Sequence, residues 1–132
     1  MRFTTPSKEL RQLALLWGVV AVAAVALRPF WLALVPFLPA CPMRAATGVP
    51  CPTCGTTRAV VALLHGLPST ALLINPLATL AAVAFVVGGV LAAIWALIGA
   101  PAPVLPQRLS LPLRIAIVAA LLANWLWVIA HR

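Results

Sequence analysis

Three runs of apolar residues, each close to the length that crosses a lipid bilayer, constrain the fold of this chain more than any other feature. They occupy about residues 10–27, 77–98 and 111–129. A membrane-crossing helix needs about 20 mostly apolar residues, with about 17 to 25 tolerated. The runs therefore predict an all-α integral membrane bundle with three transmembrane helices, forming a single domain over residues 1–132.

The charged residues fit the same interpretation. Only 8% of the chain is charged, and Glu9 is the single acid against nine Lys and Arg. These basic residues are scattered singly, mostly beside the apolar runs, which is typical of membrane anchors that contact anionic headgroups. We therefore expect the lipid bilayer and its anionic headgroups as partners, with room for a membrane-protein partner, and no nucleic acid.

Small residues recur at helical spacing on the second and third runs. The second carries Gly88, Ala92 and Ala96, and the third carries Ala116 and Ala120. Small residues spaced in this way let helix backbones approach closely in lipid. We expect the second and third helices to pack against each other.

All three cysteines lie in the connection between the first two runs, residues 28–74. Cys41 is followed by the segment Cys51-Pro52-Thr53-Cys54-Gly55-Thr56-Thr57-Arg58. Reactive polar side chains beside a membrane are costly to place and usually functional. The segment predicts a short interfacial or re-entrant helix that ends near His65. It begins either with Cys51 as its N-cap or at Thr56, after a turn at Gly55.

The first chemistry that this segment can support is metal binding, with zinc or iron as the ion. A Cys-x-x-Cys pair chelates zinc, and Cys41 adds a third thiolate to Cys51 and Cys54. His65 would lie about 16 Å along the axis from Cys54 on one straight helix, which excludes it from the same ion. A position at a helix C-terminus, favoured by the helix dipole, explains His65 better.

The second chemistry is redox. A helix N-terminus lowers the pKa of a thiol, and Arg58 would help, so Cys51 and Cys54 could form a redox pair with Cys41 as the exchanging thiol. A structural disulfide with one free thiol would also account for three cysteines.

The third chemistry is anion binding. Thr56, Thr57 and Arg58, with the free amides of a helix start, would bind a phosphate, and beside a membrane that phosphate belongs to a lipid or an isoprenoid. The sequence has no paired carboxylates, no nucleophile–base pair and no nucleotide-binding loop, so it leaves open whether the chain is an enzyme.

Other polar positions have structural explanations. Gly55 suits a turn, and Asn75 followed by Pro76 forms the N-cap and first residue of the second membrane helix. Asn124 lies inside the third run, where its amide is expected to hydrogen-bond another helix.

The cysteine segment resembles a family of small bacterial membrane proteins grouped as domain of unknown function 2752. The mark of that family is Cys-Pro-x-Cys-Gly-x-Thr-Arg-Ala, matched here by residues 51–59. Cys41-Pro42 and Asn75-Pro76 also match, whereas Pro68-Ser69 departs from the pattern. The resemblance covers about residues 28–98. It implies a bacterial membrane protein and brings no established activity.

These observations favour a multi-pass protein of the bacterial inner membrane with a cytoplasmic N-terminus. The cysteine segment would then face outward, where disulfides are permitted. The basis is a small excess of basic residues on the inner side. Five would be inside, Arg2, Lys8, Arg11, Arg108 and Arg114, and four outside, Arg28, Arg44, Arg58 and Arg132.

Overall fold

The computed structural model describes residues 3–4, 7–39, 41–103 and 110–131, so that Arg2, Arg108 and Arg132 lie outside the described part. The prediction of an all-α fold is confirmed. The described residues form α1 (Lys8–Ala26), α2 (Arg28–Leu34), α3 (Pro42–Thr47), α4 (Thr56–Leu64), α5 (Pro68–Ile74), α6 (Pro76–Ile98) and α7 (Leu111–Ala130). A 3-10 turn at Val35–Phe37 follows α2, and two short segments, β1 (Phe3–Thr4) and β2 (Ala102–Pro103), pair antiparallel.

Four segments among the described residues are long and apolar enough to cross a membrane, whereas the sequence predicts three. They are Lys8–Ala26, Arg28–Thr47, Pro76–Ile98 and Leu111–Ala130. Arg28–Thr47 is the additional one, and it is divided between α2, the 3-10 turn and α3. Its prolines explain the division, because proline lacks the amide hydrogen that continues a helix.

The chain separates into two compact units, residues 1–27 with 83–109 and residues 28–82 with 110–132. In the first unit, α1 packs on the C-terminal part of α6 through glycines. A Cβ atom added at Gly18 would lie 2.9 Å from the Gly89 carbonyl oxygen, and one added at Gly89 would lie 2.7 Å from the Ala21 Cβ. The sequence predicts that the face with Gly88 packs on the third helix, but a Cβ atom added at Gly88 would lie 3.0 Å from Cη2 of Trp17, so at Gly88 this face meets α1 instead.

The second unit contains α4 and α5, which form a small helical hairpin. Ala59, Ala62 and Ala71 form its buried core, with Leu63 and Ile74 packed against them. Their small side chains let the two short helices approach closely. Gly66, in the left-handed conformation with φ of 76°, makes the turn between them. The hairpin brings the end of α5, at Ile74, back to the start of α4.

Candidate functional site: a cluster of three thiols

Two consecutive turns place the Cys-Pro-Thr-Cys segment in front of α4. The Cys54 amide donates to the Cys51 carbonyl at 2.9 Å, which closes a turn with Pro52 in the second position that proline favours. The Thr56 amide then donates to the Thr53 carbonyl at 3.1 Å. α4 begins only after these turns, so both thiols lie outside the helix, as in the second of the two interpretations of the sequence.

Gly55 makes the transition from the turns to the helix. Its φ of 85° and ψ of 0° lie in the left-handed region, where a side chain is unfavourable. A Cβ atom added here would lie 3.0 Å from Cγ2 of Ile74. Both the backbone conformation and the space beside it therefore require glycine.

A short helix returns the chain from Cys41 to Cys51. Cys41 is the N-cap of α3 and Pro42 is its first residue. The helix ends at Gly48, which has φ of 74°. Because its six residues are helical, α3 shortens the path between two cysteines that are ten positions apart. The Cys41 thiol donates a hydrogen bond to the Cys51 sulfur, and the two sulfur atoms are 3.4 Å apart.

The three cysteines form one cluster. Their sulfur atoms all lie within 4.8 Å of one another, and all three residues are half-buried. Burial, and secondarily the Cys41 and Cys51 thiols, raises the pKa of the Cys54 thiol above its ordinary value. The Thr53 hydroxyl contacts the Cys51 sulfur at 3.2 Å.

Two buried asparagines hold the turn that carries the cysteines. Asn75 is 1% exposed, and its side-chain amide donates to the carbonyls of Cys54 and Pro52 at 3.2 and 3.4 Å. Asn124 of α7 donates to the same Pro52 carbonyl at 3.2 Å. Their side-chain oxygens accept the amides of Ala78 and Leu77 at the start of α6, so each asparagine joins the cysteine turn to α6.

Trp125, also on α7, is the third residue that holds this turn. Its indole N–H donates to the Pro50 carbonyl at 2.8 Å, one residue before Cys51. Two neighbouring residues of α7 therefore hydrogen-bond the backbone on both sides of Cys51. The sequence predicts Asn124 only as a helix-to-helix contact and does not point to Trp125. The feature of the sequence that could have indicated these contacts is an asparagine beside a tryptophan in an apolar run.

The other residues that the sequence analysis singled out lie near the cysteine cluster but are not part of it. Thr56 donates its hydroxyl to the Thr53 carbonyl at 2.7 Å. Thr57 and Arg58 are exposed in the first turn of α4, and His65 is the exposed C-cap at its far end. Pro76 is the first residue of α6. In the described part of the chain, the three cysteines are the one group of three or more metal-binding side chains that lie close together.

A cleft of about 810 Å³ opens beside the thiols. Its walls combine the three cysteines with Arg44 and Arg58, threonine hydroxyls, and apolar side chains of the segment before Cys41. Ligand-binding clefts commonly have volumes of about 300 to 1,000 Å³. A small molecule can therefore reach the cysteine cluster from the cleft.

The fold and the site together define a class, namely helical membrane proteins that hold a cluster of three thiols in a short turn-and-helix segment. The model of a family described as a protein of unknown function (DUF2752) matches residues 41–89. This match confirms the resemblance predicted from the cysteine motif, over a stretch that holds all three cysteines, α4, α5 and the first part of α6. No curated protein and no solved structure matches the chain.

Proposed function

We propose that this membrane protein binds one thiophilic divalent metal ion, zinc or iron, through Cys41, Cys51 and Cys54. The observation that carries the proposal is the mutual distance of the three sulfur atoms, all within 4.8 Å. Tetrahedral zinc with Zn–S bonds of about 2.3 Å requires sulfur atoms about 3.8 Å apart. Small rotations of the cysteine side chains would bring the cluster to that geometry.

The ligand count supports an accessible metal rather than a closed structural one. Structural zinc sites have four protein ligands, whereas catalytic ones have three and leave the fourth position to water or substrate. Among the described residues, no histidine or carboxylate belongs to the cluster. The fourth position would be filled from the cleft.

Cobalt substitution tests the proposal. Protein purified in detergent without chelator is loaded with Co²⁺, whose absorption reports thiolate coordination and tetrahedral geometry. We expect one Co²⁺ per chain, a sulfur-to-cobalt charge-transfer band, and loss of that band in Cys54→Ser. His65→Ala is the matched control and should keep the band, because His65 lies at the far end of α4. A band that survives in all three single Cys→Ser variants would refute the proposal.

A second candidate function is thiol redox, which the 3.4 Å separation of the Cys41 and Cys51 sulfurs favours. A disulfide needs the two sulfurs at about 2.05 Å. Oxidation would remove two electrons and two protons from the thiol pair and reduce a disulfide reagent such as oxidised glutathione to two thiols. A bond between Cys41 and Cys51, mapped by mass spectrometry and absent from the metal-loaded protein, would support this function. Equal thiol counts before and after treatment would refute it.

For the location of the site, the proposal follows the sequence. The protein would lie in the bacterial inner membrane with its N-terminus in the cytoplasm and the cysteine cluster at the outer interface. The redox candidate depends on this outward position, because disulfides persist there, whereas metal binding is possible on either side of the membrane.

A further inference from the structure

Two cationic side chains line the cleft beside the thiols, and the compact unit that contains it has no Asp or Glu. Arg44 at the end of α3 and Arg58 at the start of α4 both line the cleft. The single acid of the sequence, Glu9, belongs to the other compact unit. In the described part of the chain, the side-chain hydrogen bonds use neither of these two guanidinium groups.

We propose that this cleft binds the phosphate group of an amphiphilic molecule, held by Arg44 and Arg58. A guanidinium group donates two parallel hydrogen bonds to two oxygens of a phosphate, which the compact ammonium group of lysine cannot do. A phosphate can bond two arginines at once, because it offers several acceptor oxygens.

Apolar side chains that also line the cleft indicate the rest of the ligand. Val35, Leu38 and Met43 line the cleft, and the last two are exposed apolar side chains. A cleft lined by both cations and apolar side chains matches an anionic head with a hydrocarbon tail. The same phosphate chemistry could come from a membrane phospholipid or from a soluble phosphate.

The positive charge of the cleft does not depend on the metal. Protonated thiols are neutral and leave the two arginine charges uncompensated. Three thiolates around a divalent ion carry one net negative charge, which still leaves the cleft cationic. The inference therefore goes beyond the proposed metal site and can be tested without it.

General membrane anchoring is the competing explanation for both arginines, since exposed arginines contact anionic headgroups without a specific site. Arg28 separates the two explanations. Arg28 is also exposed, at the start of α2, but it does not line the cleft. An anchoring role predicts similar effects for all three arginines, whereas a site predicts effects at Arg44 and Arg58 alone.

The test uses the full chain, delipidated in neutral detergent with chelator present, and native mass spectrometry after incubation with equimolar phosphatidylglycerol and phosphatidylcholine. We expect one phosphatidylglycerol per chain, preferred over phosphatidylcholine by at least about tenfold. That preference should be lost in Arg44→Gln/Arg58→Gln and kept in Arg28→Gln. Circular dichroism confirms that the variants keep their helical content.

A parallel titration with inorganic phosphate identifies the source of the ligand. Competition by phosphate against phosphatidylglycerol supports recognition of a lipid headgroup. Phosphate binding that depends on Arg44 and Arg58, without a lipid preference, supports a soluble phosphate ligand in the same cleft. The proposal is overturned if Arg28→Gln loses as much binding as the double variant, or if neither ligand binds selectively. Since chelator is present throughout, a negative result here leaves the metal proposal untouched.

Discussion

Gly55 is the residue on which the placement of the cysteine turn depends most. Its left-handed backbone lets the turn that contains Cys54 continue directly into α4. Any other residue would need that unfavourable conformation and would also contact Ile74. The sequence predicts the turn from the glycine itself, but not the neighbour, because Ile74 reaches this position only through the hairpin of α4 and α5.

Gly55→Ala should destabilise the protein more than Gly48→Ala. Both residues have a positive φ, and the left-handed conformation costs about 1 to 2 kcal/mol for an L-residue. An added Cβ meets nothing within 4 Å at Gly48 but lies 3.0 Å from Ile74 Cγ2 at Gly55. Overpacking adds about 1 to 3 kcal/mol. Thermal unfolding in detergent measures both, and equal losses would show that the Ile74 contact is relieved at no cost.

The proximity of Cys41 to Cys51 could not be predicted at the residue scale. A separation of ten positions is compatible with many distances. The observed contact requires α3 and the left-handed turn at Gly48, and proline, arginine and alanines in α3 form no distinctive helical pattern. The sequence therefore predicts which cysteines could act together, while the structure supplies their distances.

At the scale of elements, α7 supports the cysteine turn through Asn124 and Trp125. Asn124 lies about 70 positions from Pro52 in the chain. Periodicity predicts that α7 is a membrane-length helix, but it carries no information about so distant a backbone partner. The asparagine beside a tryptophan in an apolar run is the sign in the sequence that this helix does more than cross the membrane.

Asn124→Leu should loosen the cysteine turn as well as destabilise the fold. The substitution removes the hydrogen bonds that the Asn124 side chain makes with the Pro52 carbonyl and the Leu77 amide. We expect this loss to lower the free energy of unfolding by about 1 to 3 kcal/mol. We expect faster reaction of Cys51 and Cys54 with a maleimide, measured under conditions where the variant remains folded.

The control for this experiment is Trp127→Phe, on the same helix as Asn124, which removes an indole hydrogen bond to the Leu73 carbonyl of α5 rather than to the cysteine turn. It should leave the maleimide rate unchanged. An equal increase of the maleimide rate in both variants would mean that any weakening of the contacts of α7 exposes the thiols. Asn124 would then have no specific role in holding the cysteine turn.

The contact between α1 and α6 can be tested separately. Gly18→Val would force a side chain against Ala93 and the Gly89 carbonyl. Overpacking of this kind costs about 1 to 3 kcal/mol. Ala26→Val is the matched control, because Ala26 is exposed at the end of the same helix. Similar melting temperatures for both variants would contradict the close approach of α1 and α6.

At the scale of the whole molecule, the sequence predicts the class of fold well, whereas the number of membrane spans stays a prediction. Long apolar runs define α1, α6 and α7 because a bilayer fixes the length that a spanning helix needs. The fourth candidate, Arg28–Thr47, has the same length and an apolar composition, but its prolines interrupt the pattern. Composition alone does not decide whether such a divided segment crosses a membrane.

Labelling of intact cells distinguishes an arrangement with three spans from one in which Arg28–Thr47 also crosses the membrane. With three spans and a cytoplasmic N-terminus, Cys54 faces outward and Ser110, after the second span, faces the cytoplasm. A membrane-impermeant maleimide should label Cys41→Ser/Cys51→Ser at Cys54. It should label Ser110→Cys, in a cysteine-free background, only after permeabilisation. The reverse pattern would mean that Arg28–Thr47 crosses the membrane or that the orientation is inverted.

The central claim is that the three cysteines hold a metal, and metal content per chain tests it most directly. The measurement uses protein purified anaerobically in detergent without chelator, analysed by inductively coupled plasma mass spectrometry beside Cys54→Ser and His65→Ala. We expect close to one equivalent of zinc or iron in the unsubstituted protein and in His65→Ala, and a loss of most of it in Cys54→Ser. Metal below about one tenth of an equivalent in the unsubstituted protein, unchanged by added Zn²⁺, would contradict the claim and leave the thiols to redox chemistry.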